Sequence, residues 1–278
     1  MGEELSQVER HYGRGGLLQG ILQALAEAGC DIEHLSIEEL APIDELHSRR
    51  RAATRELASL LAPRRGAHVL DVGSGIGGPA RYLAAVHGCR LTGIDLTQEF
   101  VTTAIELTRR TGLEGRVEFR QASALALPFP DSCFDHVWSQ NVAMNIADRS
   151  RYYAEMHRVL KPAGRLALQD VTQGSAGVAH YPVVWADTPA QSFLKTAAET
   201  RSLLEAAGFR VLVFEDKTAV AVAEAQAERA RLAADPDARS ALGINLIIGP
   251  SFKEKMRNSR RNLEERRTGL INALLARR

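Results

Sequence analysis

With 278 residues the chain is long enough for one large domain or one domain with a cap. Its 35 Lys and Arg nearly balance 34 Asp and Glu, so the net charge of +1 excludes a global field for nucleic acid or an anionic membrane surface. Cys30, Cys89 and Cys133 lie far apart without metal-ligand spacing, which excludes a disulfide framework and a zinc site and leaves core thiols.

No segment reads as a signal peptide, and no apolar run reaches the roughly 18 residues that span a bilayer. A cytoplasmic protein with small-molecule partners, as monomer or homodimer, is expected. Over residues 16–28, Leu17, Leu18, Ile21, Leu22 and Leu25 recur at helical spacing and predict an amphipathic helix ending near Gly29. Ser36 and Glu39 have the capping-box spacing that starts a short helix. Pro42 is expected to interrupt it, before a second helical stretch over 44–61 that Pro63 closes. Residues 1–54 thus read as a helical cap.

Residues 68–72 form an apolar strand that breaks into Gly73-Ser74-Gly75-Ile76-Gly77-Gly78-Pro79. Gly73, Gly75 and Gly78 permit a tight turn and close backbone approach, and the following helix offers its N-terminus to an anion. The one charge beside the loop is an acid, Asp71, with no Arg or Lys in the loop to offset it. A pyrophosphate would sit badly there, which disfavours a dinucleotide dehydrogenase; a cationic ligand fits better.

Pro79 suits a first helical turn, and Ala80, Leu83, Ala84 and Val86 carry that helix to Gly88. Residues 90–95 are a second strand ending in an acid, at the interval where a βαβ unit meets a ribose. Helix is then predicted over 100–111 and 151–160, strand over 116–120, 134–139 and 165–171, and turns over 127–131 and 161–164. This alternation implies a parallel sheet covered on both faces. Between 172 and 190 the period is lost, so 173–191 reads as a substrate-side lid. Helix over 192–208, strand over 209–214 and an alanine-rich helix over 219–232 follow, while 243–249 fits strand or buried helix equally. Ser251 with Glu254 marks another start, and Phe252, Met256, Leu263, Leu270 and Leu274 are expected on one face of a long closing helix. Its arginines and lysines interleave with Glu254, Glu264 and Glu265, which reads as a solvated face.

Four segments, VLDVGSGIGGPARYLA at 69–84, LTGIDLT at 91–97, LPFPDSCFDHVWSQ at 127–140 and RVLKPAGRLALQDV at 158–171, together resemble class I S-adenosylmethionine-dependent methyltransferases. Residues 47–54, Met144-Asn145-Ile146 and Arg261-Asn262-Leu263-Glu264-Glu265 extend the resemblance to a small-molecule branch that includes sarcosine/dimethylglycine N-methyltransferases and tocopherol-type enzymes. It implies an α/β, Rossmann-like class I methyltransferase fold: a mostly parallel twisted sheet with helices on both faces and a helical cap. The cofactor-binding core would span 55–172, and 192–278 would complete it. The implied cofactor is S-adenosyl-L-methionine, with S-adenosyl-L-homocysteine as product; its ammonium and sulfonium make Asp71 an asset.

At the matching positions, Asp71 would orient the methionyl amino end, and Gly73, Ser74, Gly75 and Gly77 would bring backbone to the cofactor. Asp95 would accept both ribose hydroxyls. Leu96 and Leu125 would sandwich the purine, with Ala122, Ser123 and Ala124 beside it. The family usually has an acid where Ser123 stands, a His where Asn141 stands and a Gly pair where Arg49 and Arg50 stand. Ser123 keeps a hydroxyl but loses charge assistance, so weaker cofactor affinity is expected. Asn141 cannot titrate near neutral pH and is left to hydrogen-bond substrate or cofactor. Arg49 and Arg50 would fork a substrate carboxylate, unless residues 49–51 are a solvated helix face.

Methyl transfer from a sulfonium is an in-line displacement that needs positioning more than acid–base chemistry. The expected acceptor is an amine such as a glycine derivative. A phenol or prenylated quinol, or a noncatalytic binding module, are the alternatives. Tyr12 and Asn141 are the expected catalytic wall, with Tyr12, Arg49, Arg50, Tyr181 and Trp185 on the substrate side, and no metal. Trp138, inside an apolar strand, is expected in the core.

Overall fold

The computed structural model describes residues 11–13, 15–234 and 242–278. Its strands are β1 (His68–Val72), β2 (Arg90–Asp95), β3 (Val117–Gln121), β4 (Phe134–Gln140), β5 (Leu160–Gln173), β6 (Phe209–Asp216) and β7 (Thr268–Arg277). They form one sheet in the order β3-β2-β1-β4-β5-β7-β6, parallel except for β7, which runs antiparallel between β5 and β6. The predicted mostly parallel, Rossmann-like α/β fold is therefore the one observed.

Neighbouring residues of the central strands face opposite layers. Val69, Trp138, Ala167 and Leu274 pack beneath helices α3 (Arg50–Leu61) and α4 (Gly78–His87). Leu70, Val137, Leu166 and Leu275 pack on the other side, against α6 (Arg149–Val159) and α7 (Ala197–Ala206). A sheet buried on both faces needs apolar residues at both, so these strands are continuous apolar runs. The cap helices α1 (Leu17–Glu27) and α2 (Ile37–Asp44) bury Ile21, Leu25, Leu40 and Ile43 against Phe100 and Leu107 of α5 (Gln98–Arg110).

Several expected elements are corrected. Pro42 lies inside α2; the Ser36–Glu39 capping box and buried Leu40 and Ile43 outweigh one lost backbone hydrogen bond. The next helix, α3, starts at Arg50 and not near residue 44. The helix expected over 192–208 is shorter, because a Thr196–Glu199 capping box starts α7. After α8 (Thr218–Ala234), the ambiguous 243–249 contains the one-turn α9 (Asn245–Ile248).

The long closing helix is divided. Helix α10 (Phe252–Glu264) ends before Arg266, which turns the chain at φ 56°, and residues expected on the same helical face, Leu270 and Leu274, belong to β7. A four-residue spacing fits a helix face and one side of a strand equally. The choice falls to strand because β5 and β6 both offer ladder partners to this segment. All three cysteines are free, but only Cys89 is fully buried. Among the described residues, no helix is long and apolar enough to cross a membrane.

Candidate functional site

A cavity of about 280 Å³ lies beyond the carboxyl ends of β1, β2 and β4, where the strand order reverses direction between β1 and β4. The glycine loop is one wall. Gly73 and Ser74 donate their N–H groups to the Ile94 carbonyl at 2.8 and 2.9 Å, tying the loop to β2. At Gly73, φ is 74° and a Cβ would collide with Val142, so the turn requires glycine twice over. Ser74 and Gly75 line the cavity. Gly77 does not: its α-carbon is shielded by Phe119 and Arg81, and it serves the turn into α4.

Arg81, fully buried on α4, braces this loop from behind. It donates to the Ile76 carbonyl at 2.7 Å, Asp44 Oδ2 at 2.8 Å and Thr108 Oγ1 at 3.1 Å, joining loop, cap and α5. Sequence reasoning missed it. The available signal was one arginine within a helix whose other early positions are small or apolar.

Asp71 is buried at the end of β1, and its Oδ2 has no partner. Burial, then the charges of Asp95 and Glu45, push its pKa up to about 8. An incoming cation would reverse that. Asp95 is held differently: Oδ2 accepts the Gly75 N–H and Oδ1 the Thr97 N–H, each at 2.9 Å. These bonds, with further ones from the Thr97 side chain and the Leu96 backbone, lock the carboxyl group at the cavity wall. Leu96, Ala122, Ser123, Ala124 and Leu125 also line the cavity. Ser123 Oγ accepts the Leu125 N–H at 3.2 Å and so spends part of its capacity on its own turn.

Asn141 follows β4 with φ 52°, a left-handed conformation that Asn tolerates better than most residues. Its Nδ2 donates to Ser48 Oγ at 3.1 Å, while Oδ1 is buried without a partner. Asp71 Oδ2, Ser74 Oγ and Asn141 Oδ1 are thus three unspent polar atoms on lining residues. With Asp95, they fit a ligand that brings an ammonium, an amino-acid head and two vicinal hydroxyls, which S-adenosylmethionine does.

On the opposite side, Tyr12 packs on Phe100 with ring centroids 5.6 Å apart, and its hydroxyl meets the Asn145 side chain. Burial pushes its pKa up, so the phenol stays protonated. Trp185 lines the cavity and donates from Nε1 to Ser192 Oγ at 2.9 Å. Tyr181 does not line the cavity; it packs against the buried cluster that holds Val171, Val183, Trp185 and Leu270. The arginine pair is split. Arg49 donates to both Glu224 oxygens at 3.0 and 2.9 Å and to Glu56 at 2.6 Å, so its fork is spent within the protein. Arg50 lines the cavity and reaches the Pro42 carbonyl at 3.3 Å.

His11, His47 and Lys255 also line the cavity and were not among the expected site residues. Lys255, 1% exposed, pairs with Asp187 Oδ1 at 2.9 Å, while His11 Nδ1 faces Asp187 Oδ2 at 3.3 Å and Nε2 meets the Val184 carbonyl at 3.0 Å. This cluster pins the His11–Tyr12 segment, the 183–187 loop and α10 together over the cavity. His47 is held by the Arg50 carbonyl and Thr54 Oγ1, each 3.0 Å from Nε2, and burial lowers its pKa to about 4. Neither histidine is a charged group at neutral pH, because burial lowers His11 as well.

A family model described as a methyltransferase domain matches residues 70–168. A sarcosine/dimethylglycine N-methyltransferase from Halorhodospira halochloris is 30% identical over 200 residues, covering 70% of this chain and 70% of that protein. Methyltransferase GfsG from Streptomyces halstedii is 38% identical over 129 residues, or 46% of each chain, so the match spans about half the length of that relative. The crystal structure of the cyclase SpnF superposes with a TM-score of 0.69 at 27% identity, covering 98% of this chain and 96% of that one.

Proposed function

The chain belongs to the class I S-adenosylmethionine-dependent methyltransferases, and from that premise we propose that it methylates a small molecule with an extended apolar body. The observation that carries this reading is the buried, unpartnered carboxyl of Asp71 in the same cavity as the locked carboxylate of Asp95. When bound, S-adenosylmethionine supplies an electrophilic methyl on sulfur. Asp71 would receive its ammonium, Asp95 its ribose hydroxyls, and Leu96, Ser123 and Leu125 its purine.

The remaining wall favours one acceptor class. Met144, Val184, Trp185, Ile244, Ile248 and Met256 present an apolar surface that a glycine derivative would leave largely uncovered. A phenol, a prenylated quinol or a comparable apolar alcohol fills it better, so the glycine-sized amine expected first becomes the weaker candidate. Asn141 Oδ1 would accept a hydrogen bond from the hydroxyl of such a substrate and hold its oxygen in line. The Lys255–Asp187–His11 cluster would keep the roof shut and water out.

An acceptor panel read by S-adenosylhomocysteine release tests this. Release with apolar phenols or quinols and not with glycine, sarcosine or dimethylglycine is expected; release with sarcosine alone rejects the acceptor class. Failure to bind S-adenosylmethionine or S-adenosylhomocysteine at millimolar concentration rejects the reading altogether. The likeness to a cyclase over nearly the whole chain supports a second reading, a methyltransferase-like fold without methyl-transfer activity. Donor binding with no release across the panel would favour that one.

A further inference from the structure

Three consecutive arginines, Arg49 as the cap and Arg50 and Arg51 in the first turn, stand at the start of α3, and the structure uses them differently. Arg49 is saturated by Glu224 and Glu56. Arg51 pairs through Nε with Glu45 Oε1 at 2.7 Å and donates to the Ile37 carbonyl at 3.0 Å. Arg50 has one acceptor, the Pro42 carbonyl at 3.3 Å, and among the described residues no carboxylate forms an ion pair with it. Glu228 acts on it only through space, and both Glu228 oxygens already accept from Arg231 at 2.9 Å. Arg50 therefore brings a partly buried guanidinium, with most of its five donors unspent, to the cavity wall.

The same cavity holds the opposite case, Asp71, a buried carboxyl without a cation. An unpaired cation and an unpaired acid in one cavity are complementary to a zwitterion. An α-amino-acid head is such a group: its ammonium suits Asp71, and its carboxylate is the planar two-oxygen acceptor that a guanidinium fork matches. Arg50 is moreover held at φ 46°, a left-handed conformation that glycine would adopt without strain. That conformation alone assigns nothing, since Arg49 shares it at φ 65° and serves the fold. What separates the two is that Arg49 is paired and Arg50 is not.

We infer that Arg50 receives the carboxylate of the methionyl head of the donor, whose ammonium lies at Asp71. The assignment rests on the methyltransferase reading. A carboxylate on the acceptor is the other source of the same chemistry, and the two are separable by binding measurements alone. Isothermal titration would compare S-adenosylhomocysteine with 5′-methylthioadenosine, which has the same nucleoside and a thioether but no amino-acid head.

In Arg50→Gly, which removes the guanidinium and relieves the left-handed conformation, affinity for S-adenosylhomocysteine falls about 10- to 100-fold while that for 5′-methylthioadenosine stays within about twofold. Arg50→Lys, which keeps the charge without the fork, falls between. Arg49→Gly leaves the ratio of the two affinities at the wild-type value. An Arg50→Gly protein that binds S-adenosylhomocysteine as wild type does, or weakens for both ligands equally, overturns the assignment. So does unchanged S-adenosylhomocysteine affinity with a raised KM for an acidic acceptor, which moves the carboxylate to the acceptor. Wild-type protein that binds neither ligand rejects the methyltransferase reading and is distinguishable from either result.

Discussion

Asp71 keeps its proton in the folded, ligand-free protein up to about pH 8, whereas an unfolded chain would lose it near the ordinary value of 3.8. The folded state therefore binds the extra proton, and between those values stability falls as pH rises. Glu45 and Asp170, each pushed up to about 7 chiefly by burial, add to the same slope. In Asp71→Asn, the melting temperature of the ligand-free protein should decline less steeply than wild type between about pH 5 and 8. S-adenosylhomocysteine should bind at least about tenfold more weakly. Thermal melts over that range and titration calorimetry check both, and a slope identical to wild type would show that Asp71 ionises normally. At this scale the chain was legible wherever one residue's chemistry sufficed: glycine at Gly73 for the turn, and Asp71 and Asp95 as strand-end acids on the cavity wall. Arg49 and Arg50 were not separable, because which of them is paired depends on Glu224 and Glu56.

Elements add constraints that no single residue carries. Helix α4 holds the glycine loop through Arg81, whose guanidinium ties Ile76, Asp44 and Thr108 together in the interior. Arg81→Met would leave the Asp44 carboxylate buried without its 2.8 Å partner and should cost about 3–5 kcal/mol in urea unfolding. Adding Asp44→Asn to that variant should recover part of the loss, since it removes the stranded charge; no recovery would mean that Arg81 acts through packing. Across β4, β5 and β7, Trp138 Nε1 donates to Gln140 Oε1, Gln140 Nε2 to Gln169 Oε1, and Gln169 Nε2 to Asn272 Oδ1. Trp138 can only donate, so it sets the direction of every amide behind it and orients Gln140 at the cavity. Trp138 was correctly placed in the core, but this second role was invisible because the relay beyond Gln140 runs to Gln169 and Asn272 on other strands. The same limit explains β7, where an apolar run with four-residue spacing fitted either period and the open ladders of β5 and β6 decided.

On the scale of the whole molecule, the cavity is assembled from the His11–Tyr12 segment, the cap, the ends of β1, β2 and β4, the 183–187 loop, α9 and α10. A ligand that bridges these parts should stabilise them as one unit. With S-adenosylhomocysteine at 100 times its Kd, stability should rise by about 2.7 kcal/mol in a single unfolding transition. Two separate transitions, with only one shifted, would show that the cap does not share the site. The fold class, and the glycine loop and strand-end acids that wall one end of the cavity, were readable in the chain because these features act within a few residues of each other. The opposite end was not. Its apolar wall, the Lys255–Asp187–His11 roof, the spent fork of Arg49 and the displaced Tyr181 arise from residues far apart in sequence. Their burial and pairing are properties of the packed chain, which no spacing in the sequence encodes.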